Sequence, residues 1–144
     1  MLATGRLSSE IFSLSRLDNE CVLGLEFSGL NRRGEKVMGM VASGSMATII
    51  EPYEPLTWKV PNKWSLQEAA TIPVVYVTVY CAFFQGTQIS AGKSILIHAG
   101  SGGVGLAALR VAFAYGMEVY TTVSTIEKKK YIMNMFPQLK GIYF

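Results

Sequence analysis

Metal-ligating residue types are scarce in this sequence. His98 is the single histidine, and the two cysteines, Cys21 and Cys81, lie far apart. That set cannot close a four-ligand zinc site, so no metal is expected. Isolated cysteines in apolar surroundings suit a reducing compartment, where each is expected to be a small buried hydrophobe rather than half of a disulfide. Charge is sparse as well: 16% of residues are charged and the net charge is +3. Apart from Lys128-Lys129-Lys130 the cations are dispersed, and no basic stripe marks a nucleic-acid surface. Long apolar runs are also missing. Ala69–Phe84 falls short of the roughly 20 residues a membrane span needs, and it contains Pro73, Thr71, Thr78, Tyr76 and Tyr80. A buried segment is expected there, with no membrane partner. Met1–Glu10 mixes Arg6, Ser8, Ser9 and Glu10 with few apolar residues, unlike a secretory signal, so a cytoplasmic protein is expected.

What is present falls into two compositional regimes. From Cys21 to about Pro61, short apolar runs alternate with turn residues. Val22–Phe27, Lys36–Val41 and Ala47–Ile50 read as strands, separated by Gly29–Gly34 and Ser43-Gly44-Ser45 and followed by Pro52 and Pro55. Strands at this spacing suggest a β-rich subdomain of sandwich or barrel type. Three or four of them do not close a barrel, so the subdomain reads as incomplete. After Pro61 the character changes. Ser65 with Glu68 forms a capping box that opens a helix, and Pro73 breaks it or starts a second one running to about Gln85. Gly86 and Gly92 bracket a loop. Ser94–His98 is a short apolar run, expected as a parallel strand covered on both faces. Val104–Tyr115 reads as a helix packed over most of its circumference and ended by Gly116. Glu118–Val123 is a β-branched strand, and Thr125 starts a helix that the Pro137 region ends. The order is a right-handed βαβα unit, the start of a doubly wound α/β fold.

Between the first of these later strands and its helix lies Gly100-Ser101-Gly102-Gly103-Val104-Gly105. In such a turn Gly100 permits the tight bend, Gly102 lets a diphosphate approach the backbone, and Gly105 lets the helix lie against the strand. The new helix directs unpaired N–H groups and its positive dipole end at the phosphates. The glycine pattern alone fits a structural turn as well as a nucleotide site. The strand before it, the helix after it and the strand ending about 20 residues on favour a dinucleotide. No Gly-Lys-Ser/Thr follows, which excludes an NTPase phosphate loop.

The most informative absence is an acid at the end of the second strand. An NAD site wants Asp or Glu there for the ribose hydroxyls. Thr121, Thr122, Ser124 and Thr125 stand there instead, with Lys128 one helical turn on. Hydroxyls and an ammonium suit a 2′-phosphate, so NADPH is expected. The same missing acid argues against an S-adenosylmethionine site. Lys129 and Lys130 are read as a solvated helix face. His98 is expected to be a partly buried polar group, and Trp58 and Trp64 to serve core or interdomain packing. Tyr76 and Thr78 lie just before the cofactor half, where they are candidates for nicotinamide contact, with helix packing the plainer reading for Tyr76.

These residues resemble a known family. Ile95–Gly105 looks like the cofactor turn of zinc-free medium-chain reductases of the quinone-oxidoreductase-like group. The likeness extends through Met1-Leu2-Ala3-Thr4-Gly5, Gly24–Gly29, Val37–Val41, Glu68–Tyr76, Tyr120–Val123 and Phe136–Leu139. Together they resemble the enoyl reductase domain of animal-type fatty acid synthase. The resemblance implies part of a GroES-like β-rich subdomain over residues 1–63 and part of a Rossmann-type NADPH domain over residues 64–144. It implies reduction of a trans-2-enoyl thioester, with hydride delivered to the β-carbon and a proton to the α-carbon. Gly100, Ser101, Gly102, Gly103, Val104 and Gly105 become diphosphate contacts. Thr125 and Lys128 fall where the family meets the 2′-phosphate, with Ser124 beside them. The substrate would ride on an acyl carrier domain, and the intact parent would be a homodimer. The family's proton donors lie downstream of Phe144, so no catalytic acid is assigned and the chain reads as a fragment. A stand-alone quinone or enone reductase and a non-catalytic nucleotide-binding fragment are the alternatives.

Overall fold

The computed structural model describes residues 23–85 and 89–144. The readings at Met1–Glu10, Cys21, Val22 and Gly86 fall outside the described residues. Contacts divide the chain into two compact units, Met1–Val74 and Val75–Phe144.

In the first unit, β1 (Glu26–Leu30), β2 (Lys36–Met40) and β3 (Thr57–Lys59) form an antiparallel sheet in that order. The β1–β2 turn is built by Asn31, whose Oδ1 accepts the N–H groups of Arg33 and Glu35, each at 2.9 Å. This is the local side-chain bonding that makes Asn a turn residue. The first strand starts at Glu26, after Gly24 takes a left-handed φ of +89°. The strand expected at Ala47–Ile50 is absent. Among the described residues no strand pairs with it, and Ile49 is 88% exposed. The third strand is Thr57–Lys59, which follows a 3-10 turn at Glu54–Leu56 and pairs Trp58 with Met38. Trp58 is accordingly exposed on a short outer strand and not buried in a core.

Helix α1 (Leu66–Ala69) carries the expected capping box, with Ser65 Oγ accepting the Glu68 N–H at 3.1 Å and Glu68 accepting the Ser65 N–H at 2.8 Å. Ser28 Oγ on β1 donates to the Leu66 carbonyl at 2.5 Å. That bond ties α1 to the sheet, and the division between units lies beyond α1, past the expected 63/64 boundary. Helix α2 (Pro73–Phe84) follows. Pro73 has no N–H to satisfy, and the Val74 N–H is accepted by the Glu26 carboxylate at 3.0 Å.

The second unit holds β4 (Ser94–Ile97), α3 (Gly103–Ala114), β5 (Glu118–Thr122), α4 (Ile126–Met135) and β6 (Gly141–Tyr143). The strands are parallel in the order β4-β5-β6, each pair joined through a helix. This is the α/β architecture expected, a partial Rossmann unit. Strand β6 is an addition that the sequence pattern did not reveal. Val79 and Phe83 of α2, Ile97, Leu109, Val119 and Ile132 form the core.

Two burial expectations are corrected. Leu96 is 51% exposed, so β4 is covered on one face by the described residues. Cys81 is exposed, as are Tyr80 and Phe84. The reason is helical periodicity: Val75, Val79 and Phe83 share the core face, which turns Cys81 outward. The stretch Leu66–Phe84 is long and apolar enough to cross a membrane by length and composition. It is broken into α1 and α2 by a turn, and its Val79 and Phe83 belong to the core.

Leu109→Ala should destabilise the protein by roughly 3 kcal/mol, seen as a lower urea midpoint with an unchanged slope. The Ser65 backbone N–H, followed by the Ser65 hydroxyl, holds the Glu68 carboxyl below the usual carboxylate range. A depressed native value stabilises the fold above the unfolded carboxylate range and loses that effect as pH falls through the native value. Glu68→Gln should therefore lower the midpoint at neutral pH and converge with the parent in strong acid.

Candidate dinucleotide site

The site begins where β4 ends. Ala99 adopts φ +53°, the left-handed region that an alanine rarely enters. Its carbonyl accepts the Gly102 N–H at 2.9 Å, and its N–H is accepted by Thr122 Oγ1 at 3.1 Å. The Gly100 N–H reaches the Thr122 carbonyl at 3.0 Å. The bend is thus made by Ala99, not by Gly100. Gly100 is needed for a steric reason, since a Cβ there would collide with Thr121 Oγ1, which donates to the Ile97 carbonyl at 2.7 Å.

Gly105 meets its expected role. A Cβ on it would run into the Ala99 carbonyl oxygen and lie 2.8 Å from Gly100 Cα, so only glycine lets α3 start this close to the strand. Gly102 differs: a Cβ there would meet only the Ala99 carbonyl oxygen, at 3.4 Å. The protein's own packing does not demand glycine at that position. It caps α3 without a side-chain hydrogen bond. Among the described residues, no acceptor takes the N–H groups of Ser101, Gly103, Val104 or Gly105. Gly102, Gly103 and Val104 are exposed. Unpaired amides at the positive end of a helix, with no side chain in front of them, fit an anionic diphosphate.

The hydroxyls beyond β5 divide into two groups. Thr121 is fully buried and Thr122 is bonded to the glycine turn, so neither remains available as a 2′-phosphate ligand. Ser124, Thr125 and Lys128 are exposed and adjacent, with Lys128 Nζ donating to Ser124 Oγ at 2.9 Å. Thr125 is the N-cap of α4, its Oγ1 accepting the Lys128 N–H at 3.3 Å. The Glu127 carboxyl is held below the usual carboxylate range by its own backbone N–H and then by the Thr125 hydroxyl. Thr125 is therefore committed to the cap, which leaves Ser124 and the Lys128 ammonium facing outward.

The remaining candidates separate clearly. His98 is exposed rather than partly buried, and its Nδ1 lies 3.2 Å from Thr122 Oγ1. Tyr76 packs against the core, as the plainer reading had it, while Thr78 is exposed on α2. Lys129 is half-buried with Nζ 5.1 Å from the Phe144 ring centroid, whereas Lys130 is exposed. Among the described residues, no cluster of His, Cys, Asp and Glu is able to hold a metal. The role of Thr122 escaped the sequence reading, because it depends on a contact between two strands.

No protein-family model matches the chain. It is 37% identical over 118 residues to a highly reducing polyketide synthase of Didymella fabae, a match covering 76% of this chain and 6% of that protein's length. Among solved structures it resembles the quinone oxidoreductase of Thermus thermophilus, studied alone and with NADPH, at 28% identity and a TM-score of 0.78. That likeness covers 90% of this chain and 43% of the other. The CurK enoyl reductase is similar at 27% identity and a TM-score of 0.75, over 85% of this chain and 38% of the other. The chain thus shares the fold of medium-chain quinone oxidoreductases and enoyl reductases. The matched curated proteins are polyketide synthases, where the sequence resemblance had named fatty acid synthase.

The two glycines should behave differently on substitution. Gly105→Ala should lower stability by about 1–3 kcal/mol through overpacking against the Ala99 carbonyl. Gly102→Ala should leave the unfolding midpoint in place and weaken dinucleotide binding roughly tenfold, or about 1.4 kcal/mol, by titration calorimetry.

Proposed function

We propose that this chain is the NADPH-binding portion of an enoyl reductase that saturates trans-2-enoyl thioesters carried on an acyl carrier domain. The observation that carries the reading is the set of unpaired amides at Ser101, Gly103, Val104 and Gly105 combined with Ser124 and Lys128, where an acid would select NADH. The turn fits a diphosphate because the protein leaves Gly102 uncrowded and its neighbouring amides unsatisfied. When bound, NADPH supplies the hydride that goes to the β-carbon.

The chain's own residues bind and orient. Ser101, Gly103, Val104 and Gly105 present amides to the diphosphate, Gly100 and Gly102 keep the approach open, and the Lys128 ammonium with Ser124 answers the 2′-phosphate. Thr125 supports them by capping the helix that carries Lys128, and Thr78 is read as a candidate for nicotinamide contact. No described residue is assigned as the proton donor to the α-carbon. Fatty acid and polyketide assembly share this reduction, so the polyketide synthase relatives and the fatty acid synthase resemblance support the same chemistry.

A quinone is the second reading, favoured by the Thermus thermophilus enzyme, which is as similar as CurK. In the intact parent protein, NADPH oxidation is expected with a crotonyl thioester and not with a 1,4-quinone. The reverse preference selects the quinone, and binding without either turnover leaves a nucleotide-binding module. Lys128→Ala should weaken NADPH by roughly tenfold to a hundredfold, as for a lost charge-assisted hydrogen bond, and leave NADH nearly unchanged. Equal losses for the two cofactors would remove Lys128 from the 2′-phosphate.

A further inference from the structure

We infer that Thr122 is a positioning residue for the diphosphate turn: its side chain holds Ala99 in the left-handed conformation that sets the direction of the turn and of its unpaired amides. This rests on the dinucleotide reading of that turn. Ala99 is the one non-glycine residue with positive φ among those described. An L-residue with a Cβ resists that region, so something outside the turn must hold it there. Thr122 does so from the neighbouring strand with two different groups. Its hydroxyl accepts the Ala99 N–H at 3.1 Å, and its carbonyl accepts the Gly100 N–H at 3.0 Å.

The hydroxyl is oriented in turn by His98. His98 Nδ1 lies 3.2 Å from the same hydroxyl, a third contact that fixes the Thr122 side chain beside the Ala99 N–H. Held this way, the Ala99 carbonyl receives Gly102 at 2.9 Å and lies against Gly105. One threonine on β5 thereby sets the direction of a turn on β4. Thr121, its sequence neighbour, acts separately on Ile97 and Gly100.

A double-mutant cycle on the full chain tests this, with NADPH affinity and the unfolding midpoint both measured. Thr122→Val keeps the shape and removes the hydroxyl. It should weaken NADPH about tenfold, the scale set by a non-glycine residue in the left-handed region. Ala99→Gly alone should change affinity less than about twofold, because glycine enters that region freely. Combined with Thr122→Val, Ala99→Gly should restore most of the lost affinity, and Thr122→Ser should do so without any second change. Affinity that survives Thr122→Val, or a loss that Ala99→Gly does not repair, overturns the inference. A merely structural threonine would lower the midpoint in both Val variants and show no rescue of binding. Should Thr122→Val fail to fold, amide exchange in the unsubstituted chain decides: a protected Ala99 N–H supports the bond, and exchange at the rate of a free amide overturns it. Failure of the unsubstituted chain to bind NADPH would instead defeat the dinucleotide reading, and Ala99 protection would still report on Thr122.

Discussion

Backbone contact between the start of α3 and the end of β4 is the constraint from which the second unit follows. Gly105 sits against the Ala99 carbonyl with no room for a side chain. Because the helix begins that close, its next turns lie flat on the sheet, and the residues facing inward are small or tightly fitted: Ala107, Ala108, Leu109, Val111 and Ala112 are all buried. The same closeness brings the helix N-terminus to the strand's end, where the unpaired amides of Gly103 and Val104 belong to exposed residues. Packing and anion affinity therefore have one geometric cause.

Around that contact the hydroxyl side chains of β5 and its following loop divide the work by depth. Thr121 and Thr122 bond inward, to the Ile97 carbonyl and to the Ala99 N–H, and keep two adjacent strands in register at the turn. Thr125 and Glu127 satisfy the first turn of α4. Only Ser124 and the Lys128 ammonium are left pointing away from these internal bonds, joined at 2.9 Å. A run of hydroxyls that looks uniform along the chain thus contains three separate functions.

The first unit obeys a different logic. Its antiparallel strands are short, and the β1–β2 turn is held by the Asn31 side chain and shaped by the left-handed Gly34. The carboxylate of Glu26, on β1, accepts the Val74 N–H at the start of α2. A carboxylate at that end of a helix complements the dipole as well as the orphan amide. The polyketide synthase relatives are far longer than this chain, so such a unit occupies a small part of their length.

Sequence alone determined what depends on neighbours along the chain. The Ser65–Glu68 capping box, the helix start at Pro73, the left-handed Gly116 after α3 and the β5 run of β-branched residues are all local, and all are found. The glycine turn and the missing acid were legible for the same reason, since their spacing is itself the signal. Tertiary structure decided whatever needed a partner from elsewhere. Ala47–Ile50 has strand composition and, among the described residues, no strand to pair with, while Thr57–Lys59 and Gly141–Tyr143 are strands because β2 and β5 lie beside them. Thr121 and Thr122 were indistinguishable from Ser124 until the sheet turned them inward, and Ala99 gave no sign that it, rather than Gly100, makes the bend. Local propensity is written in adjacent residues, but the use of a hydroxyl or a bare Cα depends on which atoms the fold brings against it.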